Sequence, residues 1–310
     1  NTKRPCKKPK LSFRHFTKYQ VPIFIMWVYL NDQFVEDDQA RVSVFDRGFL
    51  FGDGVFETIR VFDSQLLFLN RHLQRLHHSC DCLNLSLPKP SPNWEILLKE
   101  LVERNNLSHS MIRITLSRGV GDLGLEPLVS SNSTVVIFPR PIPQLTEDEK
   151  KYGVSLTIVQ ARRQPSCALP SQIKSLNYLN NILAKQEARA AHTFDGLLLN
   201  IEGFLAEATT SNFFFVKDKR LHTPSLECGI LPGITREIVL ELAKQEGIGI
   251  QEDAFRPEDL SDADEAFLTN TGFGVLPVNA MQARSLSSSS EQSLTKTIQR
   301  LYEKLITNVG

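Results

Sequence analysis

The chain has 310 residues, with 35 lysines and arginines against 35 aspartates and glutamates. This balance gives no net electrostatic field that would favour nucleic acid or an anionic membrane as a partner. The length allows one large domain or two. No apolar stretch approaches the roughly 20 residues of a membrane span, so we expect no membrane partner either.

The amino-terminal segment is strongly basic, since residues 1–20 carry seven lysines and arginines and no acid. We predict that residues 1–25 are a disordered basic extension. The apolar run that follows continues into a predicted strand with a turn at Asn31 and Asp32. The five cysteines are odd in number and form no CxxC pair, which favours a reduced, cytoplasmic setting.

Three glycines, Gly48, Gly52 and Gly54, mark a tight bend within residues 42–62, which we predict to be strand, bend and strand. The next segment is predicted to be a helix by its leucine spacing, and it carries Arg71 and Arg75. Arginine suits a phosphate because its planar fork donates two hydrogen bonds and keeps its charge. The histidines and cysteines of this helix match no zinc spacing, so no metal site is expected.

A strand containing Arg113 leads into the string GVGDLG, which matches a dinucleotide-binding pattern. No phosphate-binding helix can begin there, because a proline and a polar loop follow, and we reject that interpretation. A proline-rich, charged stretch then predicts a domain boundary. The expected organisation is a small α/β domain over residues 26–145, a connector over 146–152 and a larger domain over 153–310.

The segment from Gln172 to Ala188 places one lysine, Lys174, directly before a predicted helix. The helix is expected to begin at Leu176, with Ser175 as its cap and an apolar face formed by Leu176, Leu179, Ile182 and Leu183. A lysine held there can lose its proton more readily than one in water. A neutral amine is what a carbonyl group needs to form an imine.

Four motifs, KSLNYLNNILAK, EATTSNFFF, GILPGITR and LTNTGFGVLPV, occur in this order around and after Lys174. Together they resemble the fold-type IV enzymes that use pyridoxal 5'-phosphate (PLP). That family includes branched-chain aminotransferases, D-amino-acid aminotransferases and aminodeoxychorismate lyases. The resemblance implies an α/β (α+β) fold of two domains, the second a pseudo-barrel, with PLP as cofactor, amino acids and keto acids as substrates, and a homodimer.

The resemblance also implies a role for individual residues. Lys174 would hold PLP covalently, through an imine, and move the substrate α-proton. Glu207 would stand beside the pyridine nitrogen, and Tyr178 would hydrogen-bond the ring oxygen. The phosphate would be held by Arg75, Gly233, Ile234, Thr235 and Thr271.

For the substrate, the resemblance implies Phe51 and Thr58 near the cavity, Arg113 for the side-chain carboxylate of glutamate, and Thr271 and Gly272 for the α-carboxylate. A branched-chain transaminase using 2-oxoglutarate is the first hypothesis. Thr58 and the TNTGFGVLPV motif resemble lyase sequences more and keep aminodeoxychorismate lyase open. A D-amino-acid aminotransferase and a non-catalytic PLP-binding protein are further alternatives.

Overall fold

The computed structural model describes residues 26–88, 92–121, 124–126, 133–282 and 284–308. The predicted extension over residues 1–25 lies outside the described residues. In chain order the strands are β1 (Trp27–Leu30), β2 (Gln33–Glu36), β3 (Gly54–Phe62), β4 (Gln65–Leu66), β5 (Ser110–Ser117), β6 (Thr134–Arg140), β7 (Val154–Arg162), β8 (Asp195–Leu199), β9 (Leu205–Ala208), β10 (Asn212–Lys217), β11 (Arg220–Pro224), β12 (Ile250–Asp253), β13 (Glu265–Asn270), β14 (Gly274–Met281) and β15 (Arg284–Ser285).

The α-helices are α1 (Arg47–Phe51), α2 (Leu69–Cys82), α3 (Trp94–Arg104), α4 (Glu147–Tyr152), α5 (Leu179–Ala190), α6 (Ile234–Gln245) and α7 (Leu294–Asn308). Two short 3-10 helices lie at Leu226–Cys228 and Pro257–Asp262. Within the described residues, no helix combines the length and the apolar character that crossing a membrane would require.

The first sheet is antiparallel throughout, with the strand order β2-β1-β6-β5-β3-β4. The predicted turn at Asn31 and Asp32 joins β1 to β2, and both residues have positive φ, as a two-residue hairpin turn requires. Helices α2 and α3 cover one face, where Leu76, Leu98 and Leu101 share a core with the strand residues. This sheet therefore has one buried face built on β3 and β5.

The second sheet closes on itself. Its strands follow the order β10-β13-β14-β7-β8-β9, and β9 pairs with β10 again through Glu207 and Asn212. Strands β11 and β12 extend from β10, and β15 pairs with β14. The six strands of the ring form the expected pseudo-barrel, which confirms the predicted fold class.

The segment between the two sheets is a short helix, α4, which begins with a capping box between Thr146 and Glu149. It covers most of the predicted connector over residues 146–152. The division of the chain into domains at this place stays a prediction.

The predicted strand-bend-strand over residues 42–62 is wrong in its first part. A helix, α1, stands where the first strand and bend were expected, and the Asp46 side chain caps it by accepting from the Gly48 N–H. Gly52 ends this helix with a φ of 69°, a conformation that favours glycine. The second predicted strand is β3.

The helix predicted to begin at Leu176 begins instead at Leu179, and Ser175 does not cap it. Residues 174–176 are extended because they are hydrogen-bonded to β3: Phe56 N–H donates to the Lys174 carbonyl, and Leu176 N–H donates to the Gly54 carbonyl, both at 2.9 Å. A segment whose backbone is paired with a strand cannot also begin a helix.

The predicted apolar face of this helix is also not its buried face. Asn181, Ala184 and Ala188 pack against the barrel, whereas Leu179, Ile182 and Leu183 are 67%, 51% and 48% exposed. The small residues face inward because the helix backbone lies close to β8: a Cβ added at Gly196 would stand 3.1 Å from the Ala184 carbonyl oxygen. The large apolar residues consequently face outward.

Candidate active site

A polar cleft of about 790 Å³, counting the space open at its mouth, lies beside the barrel. All eight residues that the sequence predicted for the cofactor line it: Arg75, Lys174, Tyr178, Glu207, Gly233, Ile234, Thr235 and Thr271. They come from α2, from the segment before α5, from β9, from the start of α6 and from the turn after β13. The fold therefore brings together residues that are nearly 200 positions apart in the sequence.

The lysine is held at both its backbone and its side chain. Its backbone pairs with β3, and its N–H donates to the Ser79 hydroxyl at 3.3 Å. Its Nζ lies 3.4 Å from the Tyr178 hydroxyl and 4.6 Å from the centre of the Phe56 ring. The side-chain nitrogen is thus held at the cleft by neutral partners.

The arginine of α2 is buried against a carboxylate that the sequence analysis did not single out. Arg75 Nε donates to Glu57 Oε1 at 2.6 Å, and Arg75 Nη2 donates to Glu57 Oε2 at 2.9 Å. His72 Nδ1 lies 2.9 Å from the same Oε2. Burial alone would raise the pKa of Glu57, but the Arg75 charge and His72 outweigh it and hold this pKa well below its usual range.

The glutamate on β9 stands at the pair that closes the barrel. Glu207 Oε2 accepts from the Leu231 N–H at 3.0 Å and from Asn212 Nδ2 at 3.2 Å, and Oε1 lies 3.1 Å from Arg163 Nη2. Burial raises the pKa of Glu207, and the Arg163 charge opposes that rise. This carboxylate is therefore shielded from water and able to pair with a cationic group in the cleft.

The amino terminus of α6 opens onto the cleft. Gly233 is its N-cap residue, and Thr235 is the second helical residue. A Cβ at Gly233 would collide with Asn212 Oδ1, which explains the glycine. In the part of the chain that the structure describes, the N–H groups of Ile234 and Thr235 have no acceptor. Such an end of a helix binds anions.

A buried hydroxyl in the cleft also lacks a partner. Thr269 Oγ1, on β13, is buried and has no hydrogen-bond partner among the described residues. It lines the same cleft as the α6 terminus and Thr271. An anionic ligand there would satisfy a group that is costly to leave unpaired.

Apart from Thr271, the residues predicted for the substrate lie outside the lining of this cleft. Thr58 and Arg113 are paired across β3 and β5. Phe51 is on α1, half-exposed, with the Arg47 guanidinium 5.2 Å from its ring centre. The Gly272 N–H already donates to Asn270 Oδ1 at 2.9 Å, a geometry that does not favour binding of a substrate carboxylate.

Arg113 nevertheless contacts the same aromatic ring as the lysine. Its guanidinium carbon is 3.8 Å from the centre of the Phe56 ring, the same ring that Lys174 Nζ approaches. Among the described residues it has no carboxylate partner, and its Nε donates to the Thr115 hydroxyl at 3.1 Å. Burial, with the nearby charge of Arg140, lowers the pKa of Arg113 to about 10, so the group remains cationic at neutral pH.

Several residues of the site were missed from the sequence, and two of them had a visible signal. Glu57 falls on the same face of β3 as Val55, Ile59 and Val61, so strand alternation alone places a charge on a buried face. His72 is one turn before Arg75 on α2. Arg163, Asn212 and Thr269 gave no such signal, because only the folded barrel brings them to Glu207 and the α6 terminus.

No group of three or more histidine, cysteine, aspartate or glutamate side chains in the described segments is arranged to hold a metal ion. The cleft instead combines an amine, a buried carboxylate and an anion-binding helix terminus.

Comparison with known proteins assigns this combination to a family. Residues 54–281 match the sequence profile of amino-transferase class IV. The chain belongs to the class IV aminotransferase family. The predicted family and the predicted transaminase class of this enzyme are thereby confirmed.

Two relatives show how widely the family varies. A putative branched-chain-amino-acid aminotransferase of Methanocaldococcus jannaschii is 38% identical over 285 residues, covering 92% of this chain and 98% of the relative. An aminodeoxychorismate lyase of Bacillus subtilis (strain 168) is 31% identical over 284 residues, covering 91% and 95%. Similarity of sequence therefore extends to both reaction types.

A solved structure gives the same fold with a cofactor derivative. It is the branched-chain amino acid aminotransferase of T.th., in complex with N-(5'-phosphopyridoxyl)-L-glutamate. It matches with a TM-score of 0.84 at 28% identity, covering 92% of this chain and 95% of the other. Family membership thus implies a pyridoxal-type cofactor and substrates that are amino acids and keto acids.

Proposed function

We propose that this enzyme binds PLP in the polar cleft and transfers the amino group of a branched-chain or similar amino acid to 2-oxoglutarate. The observation that carries the proposal is the convergence of Lys174 Nζ, the Glu207 carboxylate and the α6 amino terminus on one cleft. Each supplies a different chemical need of the cofactor: a covalent anchor, a partner for the ring nitrogen and a phosphate site.

The donors of the cleft fit the cofactor as follows. The phosphate would be held by Arg75, by the N–H groups of Ile234 and Thr235 and by the hydroxyls of Thr269 and Thr271. Glu207 would accept a hydrogen bond from the protonated ring nitrogen, and Tyr178 would hydrogen-bond the ring oxygen. When bound, PLP supplies an electron sink that stabilises negative charge at the substrate α-carbon.

Lys174 is then the group that moves the proton. Its Nζ would take the proton from the substrate α-carbon as general base and return a proton as general acid. This nitrogen lies 4.6 Å from the centre of the Phe56 ring and 6.0 Å from that of the Tyr178 ring, so both rings restrict its movement. Confinement of this kind keeps the amine within reach of the reacting carbon.

Arg113 supplies the reason for naming a dicarboxylate as amino acceptor. It is a partly buried cation that contacts the same Phe56 ring as Lys174, and among the residues described here no carboxylate neutralises it. Truncating Arg113 to alanine should raise the KM for 2-oxoglutarate on the order of 10-fold or more, because a charge-assisted hydrogen bond is lost. Steady-state kinetics with the two substrates varied separately measure this.

The matched control is Arg140→Ala, which removes an exposed arginine from the neighbouring strand. It should leave the KM for 2-oxoglutarate unchanged, and Arg113→Ala should leave the KM for L-leucine nearly unchanged. Equal effects of Arg113→Ala on both substrates would remove the proposed role.

The reaction itself is tested with two mixtures. L-leucine with 2-oxoglutarate should yield glutamate, and D-leucine in its place should not. Aminodeoxychorismate supplied without an amino acceptor should yield no pyruvate. Pyruvate from this second mixture would instead establish the lyase, the second candidate, which the B. subtilis relative favours. A protein that binds PLP but acts on neither mixture would support the non-catalytic alternative.

We further propose that the enzyme is a homodimer whose interface includes the apolar surface of α5 and α1. Leu179, Ile182 and Leu183 of α5 are exposed, and so are Phe49 and Leu50 of α1. The two helices are neighbours, because Asn177 Nδ2 donates to the Gly52 carbonyl at 3.1 Å. Exposed large apolar residues on neighbouring helices are typical of a protein interface.

Changing Ile182 to glutamate should therefore convert the dimer to a monomer, because a charge would be buried in the interface. Light scattering measures the mass in solution. Ile96→Glu, at an exposed position on α3, is the control and should leave the dimer intact. A wild-type chain that is monomeric at working concentration would refute the dimer.

We propose a cytoplasmic location because the cysteines of the described residues are not paired in disulfides. Cys80, Cys82, Cys167 and Cys228 are all free thiols. Free thiols at exposed positions, such as Cys82 and Cys167, persist in reducing compartments.

A further inference from the structure

We propose that Glu57 is a positioning residue that orients the Arg75 guanidinium toward a phosphate group in the cleft. This inference rests on the proposed function, because it requires that the cleft holds a phosphorylated cofactor. It assigns a role to a side chain that lies behind the cleft and does not line it.

The burial of Glu57 is the first reason. Its side chain is 0% exposed, and an ionised carboxylate is costly to bury unless its oxygens are paired. Both oxygens are paired here. Oε1 accepts from Arg75 Nε, and Oε2 accepts from Arg75 Nη2 and from the Thr58 N–H at 3.2 Å, with His72 Nδ1 also within 2.9 Å.

The geometry of the contact is the second reason. Two parallel hydrogen bonds between a carboxylate and a guanidinium fix the plane of the arginine, which a single bond does not. Arg75 Nη1 donates in addition to the Pro232 carbonyl at 2.8 Å. These three bonds leave the second N–H on each terminal nitrogen of Arg75 available.

The position of those remaining donors is the third reason. Arg75 lines the cleft, and Pro232 is the residue directly before Gly233, the N-cap of α6. The bond to Pro232 therefore places the guanidinium beside the same helix terminus whose N–H groups lack acceptors among the described residues. Arg75 and the amino terminus of α6 together form one anion-binding site, and Glu57 fixes the orientation of Arg75 in it.

Strand β3 connects this anion site to the lysine. Phe56 pairs its backbone with Lys174 and places its ring against Lys174 Nζ. The next residue, Glu57, points to the opposite face of the strand and holds Arg75. Two adjacent residues of one strand thus set the separation between the covalent anchor and the phosphate site.

The test compares PLP with pyridoxal, which lacks the phosphate. Cofactor is removed by dialysis and returned, and both dissociation constants are measured from the visible absorption of the bound form. Glu57→Gln keeps the shape and removes the charge. It should weaken PLP binding about 10-fold, as expected for one lost charge-assisted hydrogen bond, and leave pyridoxal binding unchanged.

A double-mutant cycle separates positioning from general stability. Arg75→Gln should lower the preference for PLP over pyridoxal, and adding Glu57→Gln to it should lower that preference no further. If Glu57→Gln weakens PLP and pyridoxal equally, the residue only supports the fold and the inference is overturned. If Arg75→Gln leaves the preference intact, Arg75 is not a phosphate ligand, which overturns the inference and the cofactor assignment of Arg75 together.

A second variant covers the case in which Glu57→Gln does not fold. His72→Leu removes the neighbour of Glu57 Oε2 and retains Glu57 itself. It should lower the PLP preference in the same direction, whereas His78→Leu, at an exposed position on the same helix, should not. An unchanged preference in His72→Leu would count against the inference.

Discussion

Replacing Lys174 with alanine should reduce transamination at least about 10³-fold, because both the covalent anchor and the proton-transfer group are removed. Among the residues that the structure describes, no second lysine lines the cleft and could substitute for it. The backbone of residue 174 is held by β3 and Ser79, and these bonds do not depend on the side chain. The variant should therefore fold normally and still bind PLP through the phosphate site.

The measurement is glutamate formation from L-leucine and 2-oxoglutarate, together with thermal unfolding. Lys99→Ala removes an exposed lysine that pairs with Glu95 and serves as the control. Activity within a few-fold of wild type in Lys174→Ala would show that another group carries the reaction.

Replacing Glu207 with glutamine should have the next largest effect, a loss on the order of 10²-fold in kcat. A neutral amide cannot keep the ring nitrogen of the cofactor protonated, so negative charge at the substrate α-carbon would be less well stabilised. The anchor and the phosphate site are unchanged, so the affinity for PLP should fall much less than kcat. Glu202→Gln, in the exposed turn before β9, is the control.

The same carboxylate predicts a pH effect. Burial raises the pKa of Glu207 and Arg163 opposes it, so removing that cation by Arg163→Gln should raise this pKa further. Only the ionised form is active in this account. The acid limb of the rate profile should therefore move to higher pH in Arg163→Gln, and an unmoved or lowered limb would argue against the role of Glu207.

The residues predicted for the cofactor could be proposed from the sequence because they lie in short motifs that resemble those of the family. Each of these motifs spans a single turn or the end of a single strand. The fold brings them to one cleft, where they contribute Lys174, Glu207, Thr235 and Thr271. The strand β3 and the hairpin at Asn31 followed from alternation and turn chemistry in the same way.

The errors have physical causes that sequence spacing does not contain. The apolar spacing of α5 indicated a buried face, but the close approach at Gly196 gives that place to Ala184 and Ala188. Strand alternation places Glu57 on a buried face, but it does not identify the partners, His72 and Arg75, which are on another element and meet Glu57 only after β3 and α2 pack together. Tertiary packing decided both outcomes.

The covalent attachment of the cofactor to Lys174 is the central claim, and it can be observed directly. Reduction of the PLP-loaded protein with borohydride makes a bond between lysine and cofactor permanent, and mass spectrometry of the peptides then locates it. The added mass of a phosphopyridoxyl group should be found on the peptide that contains Lys174. Modification of a different lysine, or of none, would contradict the account.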